Sequence, residues 1–382
     1  MATGLAAQKV GSNGPYRVMI VDDSAVIRGI VARWLDDDPE IDVVTTAGNG
    51  EIALNNLKRF NVEVVVLDIE MPVMDGLTAL PQMIKEVPGL KVIMSSTLTR
   101  RNADVTMRAL SQGAVDYMAK PESASRGSAS DTFHRELIEK VKTHGATLRD
   151  RQGNGAARPV PVAKSAKKAP KASVSLYGDK PIKLRAKSPV APRILGIGSS
   201  TGGPQALLEV LGTLKNSVKV PIVITQHMPP TFTTILAEHI SSAMGVDCHE
   251  GLDGETLEAG KVYLAPGDNH MILKSTGKKT VISINQGPQI NFCRPAVDPL
   301  FESIAQIYGG ASLLLMLTGM GHDGRDGSKA VVEAGGTLIA QDEATSIVWG
   351  MPGAVASAGL CHQVVPLKQI APTLLNIFSG VR

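Results

Sequence analysis

Three residues that could do chemistry together each follow an apolar run of strand type in this 382-residue chain: a serine, a histidine and an aspartate. Ser200 lies in the glycine-rich turn after Ile194–Ile197, ahead of a helix that Pro204 is suited to open. His227 follows Pro221–Gln226 and begins His-Met-Pro-Pro, and Asp323 closes the loop Thr-Gly-Met-Gly-His-Asp after Ser312–Leu317. A serine hydroxyl is a weak nucleophile near neutral pH and needs a base, a task that imidazole suits. A carboxylate on the other ring nitrogen fixes the tautomer and steadies the imidazolium. Ser200, His227 and Asp323 together thus point to hydrolysis through an acyl-enzyme, with Thr201 expected to hydrogen-bond within the site. The G-x-S-x-G spacing of residues 198–202 is weak alone, because such turns often just precede helices. What carries the reading is the shared position at strand ends, where parallel sheets gather their ligands.

A second constellation is acidic. Asp22 and Asp23 follow the apolar run Val18–Val21, Asp68 follows Val62–Leu67, Ser95 and Ser96 follow Val92–Met94, and Lys120 follows Tyr117-Met118. Carboxylates brought to one spot repel unless a hard cation joins them, and Mg2+ with oxygen ligands is the natural choice. Asp68 could then attack a phosphoryl group, with Mg2+, Lys120 and a serine hydroxyl steadying the acyl phosphate. Ungapped spacing favours Ser95 for that hydroxyl and leaves Ser96 open.

The elements that must position these groups alternate strand and helix twice over. Residues 16–149 read as a doubly wound parallel (βα)5 domain: five short apolar runs are separated by helical patterns such as Ile27, Ile30, Val31, Trp34 and Leu35. Its last helix is expected over Asp131–Arg149, and Pro81 is expected early in a helix that starts near Gly76. Residues 193–382 read as a second α/β domain with a mainly parallel sheet. The runs Lys261–Leu264, Met271–Lys274 and Val281–Ile284 are expected as β-hairpin strands inserted in it. Residues 1–15 read as a loose leader and 150–192 as a basic tether rich in Ala, Lys and Pro, part of which, around Val174–Tyr177, is expected to dock between the domains.

Composition bounds the rest. The chain is 43% hydrophobic and 20% charged, as two globular domains would be. No apolar run reaches membrane-spanning length and no secretion signal opens the sequence, so a cytoplasmic protein that is not membrane-embedded is expected. Cys248, Cys293 and Cys361 are scattered and odd in number, which suits reduced thiols. Net charge is +3, yet residues 151–192 hold ten Lys or Arg against Asp179 alone, so the excess belongs to the tether. A solvated linker fits it better than a nucleic-acid surface, for it has few stacking aromatics.

Five motifs in order, Ile-Gly-Ser-Ser-Thr-Gly-Gly, Gln-His-Met-Pro-Pro, Ala-Pro-Gly-Asp-Asn-His, Arg-Pro-Ala-Val-Asp-Pro-Leu-Phe and Leu-Thr-Gly-Met-Gly-His-Asp-Gly, resemble the CheB family of chemotaxis methylesterases from Arg193 onward. The N-terminal half, with Val-Asp-Asp-Ser, Leu-Asp-Ile-Glu-Met-Pro-Val-Met-Asp-Gly and Ala-Lys-Pro, is similar to response-regulator receiver domains. The resemblance implies γ-glutamyl methyl ester hydrolysis and glutamine deamidation on chemoreceptors, switched by a chemotaxis histidine kinase. It implies Asp68 as phosphoacceptor and Asp23, Asp68 and the Glu70 carbonyl as Mg2+ ligands, with Asp22 as acidic neighbour. It further implies the Met320 amide as an oxyanion donor, His270 as a residue shaping the site, and no cofactor for the esterase step. A monomer without nucleic-acid partners is expected.

Competing readings are weaker. An α/β-hydrolase order would need Ser200, Asp323 and His362, but His362 lacks a glycine-rich catalytic loop. A dinucleotide turn fails because Thr201 stands where the third glycine belongs. A regulator that only binds a partner would have no use for all three catalytic types. A DNA-binding output lacks a recognisable reader helix. Of the other histidines, His239 is expected to pack in a helix, His249 to point away from Cys248 in a strand, and His322 to be a loop residue.

Overall fold

The computed structural model describes residues 14–120, 128–153 and 182–380. The expected leader falls outside these residues but for its last two, as do most of the tether and its expected docking segment. The described residues divide into two compact units, 14–95 with 128–153 and 96–120 with 182–380.

The first sheet has the order β2-β1-β3-β4-β5, formed by β1 (Tyr16–Val21), β2 (Ile41–Ala47), β3 (Val64–Asp68), β4 (Lys91–Ser96) and β5 (Asp116–Ala119). The paired strands β2, β1, β3 and β4 run parallel. Helices α1 (Ala25–Asp36), α2 (Gly50–Leu57), α3 (Gly76–Glu86), α4 (Arg100–Ser111) and α5 (Ser128–Gly153) connect or follow them. Side-chain oxygens of Ser24, Asn49, Asp75 and Thr99 accept from the first-turn amides of α1 to α4, which fixes where each helix begins. The helix starts at Gly76 as expected, and Pro81 is its sixth residue, in the second turn, where its ring removes a hydrogen bond from within the helix. Helix α5 is also longer at both ends than the periodicity of its apolar residues indicated.

The second sheet has seven strands in the order β14-β13-β12-β6-β7-β9-β8. At its centre are β6 (Ile194–Ser199), β7 (Ile222–Gln226) and, on β6's other side, β12 (Ser312–Met316), followed outward by β13 (Thr337–Gln341) and β14 (Gln363–Val365). Beyond β7 come β9 (Val262–Leu264) and β8 (Cys248–Glu250). All pairings are parallel. The expectation that Lys261–Leu264 is a hairpin strand is thus corrected: Val262–Leu264 is a fully buried strand inside the main sheet, paired with Ile222–Ile224. Three residues are too few for an alternation to reveal their neighbours. The hairpin consists of β10 (His270–Thr276) and β11 (Lys279–Asn285) alone, turning at Gly277 with φ +64.

Helices α6 (Gly203–Leu214), α7 (Phe232–Met244), α8 (Val297–Tyr308), α9 (Arg325–Glu333), α10 (Met351–Ser357) and α11 (Leu367–Phe378) cover the sheet. Helix α8 approaches β6 closely because the strand carries glycines there. A Cβ at Gly196 would meet Ile304 and Leu314 at 2.7 Å, and one at Gly198 would meet Val297 at 2.7 Å. The C-terminal end of the basic stretch is not a free tether: Arg185 N–H donates to Cys361 O, and Ser188 Oγ to Gly310 O.

Candidate active site

β6, β7 and β12 are adjacent and parallel, with Gly198 level with Thr225 and Met316. Ser200, His227 and the loop to Asp323 therefore leave the same edge of the sheet, as the sequence reading requires. Ser200 is held by its backbone: its N–H donates to Thr318 O (3.0 Å), and its carbonyl accepts from Gly203 N (2.7 Å) and Gln226 Nε2 (2.9 Å). Gly202 takes the left-handed conformation at φ +74, which lets the chain double back into α6. Gly319 backs Ser200: a Cβ there would lie 2.9 Å from Ser200 Cβ. Met320 follows Gly319 in the chain. Thr201 hydrogen-bonds within this region through its carbonyl, which accepts from Thr318 Oγ1 (2.9 Å).

His227 Nε2 lies 2.7 Å from Asp323 Oδ2, which also accepts from Val297 N (2.6 Å). Asp323 Oδ1 accepts from Asp298 N (3.3 Å) and Asn291 Nδ2 (3.4 Å). Nε2 is therefore the protonated nitrogen of the neutral ring, and Nδ1 carries the lone pair. Nδ1 lies 3.4 Å from Cys293 Sγ, and no hydrogen bond joins Ser200 Oγ to the imidazole among the described residues.

Burial pushes the His227 pKa down, but Cys293 and Asp323 outweigh it and hold the imidazole well above 6.5. Burial pushes Asp323 up, yet the His227 contact and the Val297 amide bring it well below the usual carboxylate range. Asp298 goes the other way, to about 7, because burial and the charge of Asp323 prevail over the Gly327 amide it accepts from.

Five neighbours had not been singled out from sequence: Gln226, Asn291, Cys293, Asp298 and Gly319. Gln226 is the most informative, since its amide also donates to His227 O (3.2 Å) and its Oε1 accepts from Ser199 Oγ (2.7 Å), tying two strand ends together. A buried amide at the end of an apolar strand was the available signal. His270 is buried and accepts from Ala296 N through Nδ1 while Nε2 faces Pro288 O, so it braces the loop before α8. His362 N donates to Leu338 O at the start of β13, the end opposite the strand termini that carry Ser200, which removes the Ser200–Asp323–His362 alternative.

At the first sheet, carboxylate oxygens of Asp22, Asp23 and Asp68 all lie within 4.8 Å of one another. Asp22 and Asp68 are buried and Asp23 is exposed. Three acidic oxygens so close suit a hard divalent cation. Glu70 is two residues beyond Asp68 in the same loop. Ser95 is level with Asp68 in the β3–β4 register, while Ser96 Oγ donates to Thr97 O (3.1 Å). Lys120 follows β5, its N–H donating to Ser96 O (2.7 Å).

Comparison with known proteins agrees with this architecture. A family model for CheB methylesterase matches residues 195–374, and one for the response regulator receiver domain matches 18–129. The chain is 52% identical over 368 residues to protein-glutamate methylesterase/protein-glutamine glutaminase 1 of Paramagnetospirillum magneticum, covering 94% of this chain and 96% of that protein. The protein-glutamate methylesterase/protein-glutamine glutaminase of Azospirillum brasilense is 52% identical over 389 residues, covering 98% and 96%. The crystal structure of the Thermotoga maritima CheB methylesterase catalytic domain is 40% identical, with a TM-score of 0.48, and covers 49% of this chain and all of that one. With such relatives matching along nearly its whole length, the chain belongs to the CheB family of protein-glutamate methylesterases/protein-glutamine glutaminases, and it carries the receiver domain of a response regulator.

Proposed function

We propose that Ser200 is the nucleophile of a methylesterase acting on γ-glutamyl methyl esters of chemoreceptors and, by the same acyl chemistry, on selected receptor glutamines. What supports this is that the strands leading to Ser200, His227 and Asp323 end at one edge of the second sheet, with His227 Nε2 2.7 Å from Asp323 Oδ2. Because Asp323 holds Nε2, Nδ1 is the nitrogen that takes the Ser200 proton. Ser200 attacks the ester carbonyl, His227 returns the proton to the departing methanol, and water attacks the acyl-enzyme by the same route. The Met320 amide, next to Gly319 against Ser200, holds the oxyanion. Gln226 keeps both strand ends in register through the cycle.

We assign residues 16–149 to the receiver, 150–192 to the linker and 193–382 to the esterase domain. Asp68 is the phosphoacceptor. Asp23, Asp68 and the Glu70 carbonyl would hold Mg2+, with Asp22 beside them, and the cation would offset the charge of the incoming phosphoryl group. Ser95 and Lys120 contact the phosphoryl oxygens. A chemotaxis histidine kinase supplies the phosphoryl group, and phosphorylation raises the esterase rate. The protein works in the cytoplasm as a monomer; among the described residues no helix is long and apolar enough to cross a membrane.

The test is methanol release from methylated receptor membranes. The full chain should release methanol faster with a phosphoryl donor, Asp68→Asn should lose that response, and Ser200→Ala should lose release altogether. Equal rates with and without donor would remove the switch, and release by Ser200→Ala would remove the nucleophile.

A further inference from the structure

The three cysteines lie in unlike surroundings. Cys248 and Cys361 are 6% and 0% exposed, and burial pushes each thiol up to about 12, where it is inert. Cys293 is only partly buried, with Sγ 3.4 Å from His227 Nδ1 and 3.4 Å from Asn291 O. It closes a two-residue turn in which Ile290 and Cys293 exchange backbone hydrogen bonds of 3.1 and 2.9 Å. Both central residues, Asn291 at φ 51 and Phe292 at φ 62, are left-handed, the form such tight hairpins require and one that a phenylalanine adopts only at a cost. Phe292 is 72% exposed, so that cost secures no core packing. What the turn does secure is a thiol held against the one imidazole nitrogen that Asp323 leaves open.

We propose that Cys293 is a modification site for small disulfides, and that thiol–disulfide exchange at its Sγ shuts the esterase reversibly by closing off His227 Nδ1. The second half rests on the reading of His227 as the base for Ser200; the first does not. In the exchange, His227 Nδ1 takes the Cys293 proton while Sγ attacks one sulfur of the disulfide. The S–S bond of the reagent breaks, a Sγ–S bond forms, and the departing thiolate recovers the proton from His227. Cys293 is oxidised and the small disulfide is reduced to one thiol. The attached group then fills the approach through which the Ser200 hydroxyl must reach Nδ1, and a dithiol removes it.

The full chain, undenatured, is mixed with dithiobis-nitrobenzoate, whose released thiolate is coloured, and in parallel with glutathione disulfide followed by intact mass. One rapid equivalent of thiolate and one glutathione adduct are expected, with methanol release falling in step and returning on treatment with dithiothreitol. Cys293→Ala should give no rapid thiolate, and whatever methanol release it retains should ignore both reagents. His227→Gln should slow thiolate release by roughly tenfold, since no imidazole then takes the proton from Sγ as it attacks. Rapid release that leaves methanol production intact, or equal inhibition of Cys293→Ala, would overturn the proposal. Persistent esterase activity in Ser200→Ala would instead overturn the esterase reading, and the thiol titration would stand on its own.

Discussion

Replacing Asp323 by asparagine separates two duties that the carboxylate combines. Oδ2 accepts the short bonds from His227 Nε2 (2.7 Å) and Val297 N (2.6 Å), whereas Oδ1 has only the longer ones from Asp298 N (3.3 Å) and Asn291 Nδ2 (3.4 Å). An asparagine should therefore keep its amide oxygen at the Oδ2 position and turn its NH2 toward the weaker side. The Nε2–H tautomer survives, with Nδ1 still the base, and what is lost is the negative charge facing the imidazolium. A hydrogen bond to a charged group contributes about 1.5–3 kcal/mol against about 1 for a neutral pair, so the change costs roughly 1–2 kcal/mol of transition-state stabilisation, or about 5- to 30-fold in rate. Asp323→Ala loses orientation as well and should fall by about 10³-fold or more. Methanol release measured from pH 6 to 9 gives both numbers, and the acid limb of the asparagine variant should move down as the imidazolium loses its counter-charge. Equal losses in the two variants would refute the division of duties, and an unshifted acid limb would refute the electrostatic half of it.

Other outcomes follow from the same contacts. His227 must be neutral to act as base, and its pKa is held above 6.5, so kcat/KM should climb with pH through a value above 6.5. Cys293→Ala, which removes one of the groups holding it there, should shift that limb to lower pH; an unmoved limb would contradict the assignment. In stability terms the His227 contribution is complete below about 6.5 and is lost as pH rises through its raised pKa, whereas that of Asp323 is present above 3.8 and is lost on acidification. Asp298 has the opposite sign: raised from 3.8 to about 7, it costs stability as pH rises between those values, so Asp298→Asn should stabilise the chain to urea by at most ~4 kcal/mol at pH 8 and hardly at all at pH 4. The same gain at both pH values would sink that account. Gly319→Ala brings a methyl group within 2.9 Å of Ser200 Cβ and 3.0 Å of its N, and should lower kcat with a stability loss of about 1–3 kcal/mol. Full activity in that variant would mean that Ser200 is not held where the structure places it.

The placement of the candidate groups was legible in the sequence wherever a reactive residue closed a long apolar run. Ile194–Ile197, Pro221–Gln226 and Ser312–Leu317 are strands by their composition, and their ends announce Ser200, His227 and Asp323. Asp22, Asp23 and Asp68 were readable for the same reason. What escaped was short or acted through shape. Val262–Leu264 reads as a strand but is given the wrong partner, since three residues carry no period that tells a sheet strand from a hairpin strand, and Gln363–Val365 is equally brief. Cys293 and Asn291 reach His227 and Asp323 from 66 and 32 residues away through a two-residue turn, a separation no local pattern encodes.

The central claim, that Ser200 carries the acyl group with His227 as its base, is tested most directly by labelling the full chain with a fluorophosphonate and mapping the adduct by peptide mass. The account predicts one adduct, on Ser200, formed far more slowly in His227→Gln and absent in Ser200→Ala. An adduct on Cys293 or on any other residue, with Ser200 unmodified while methanol release is lost, would contradict it.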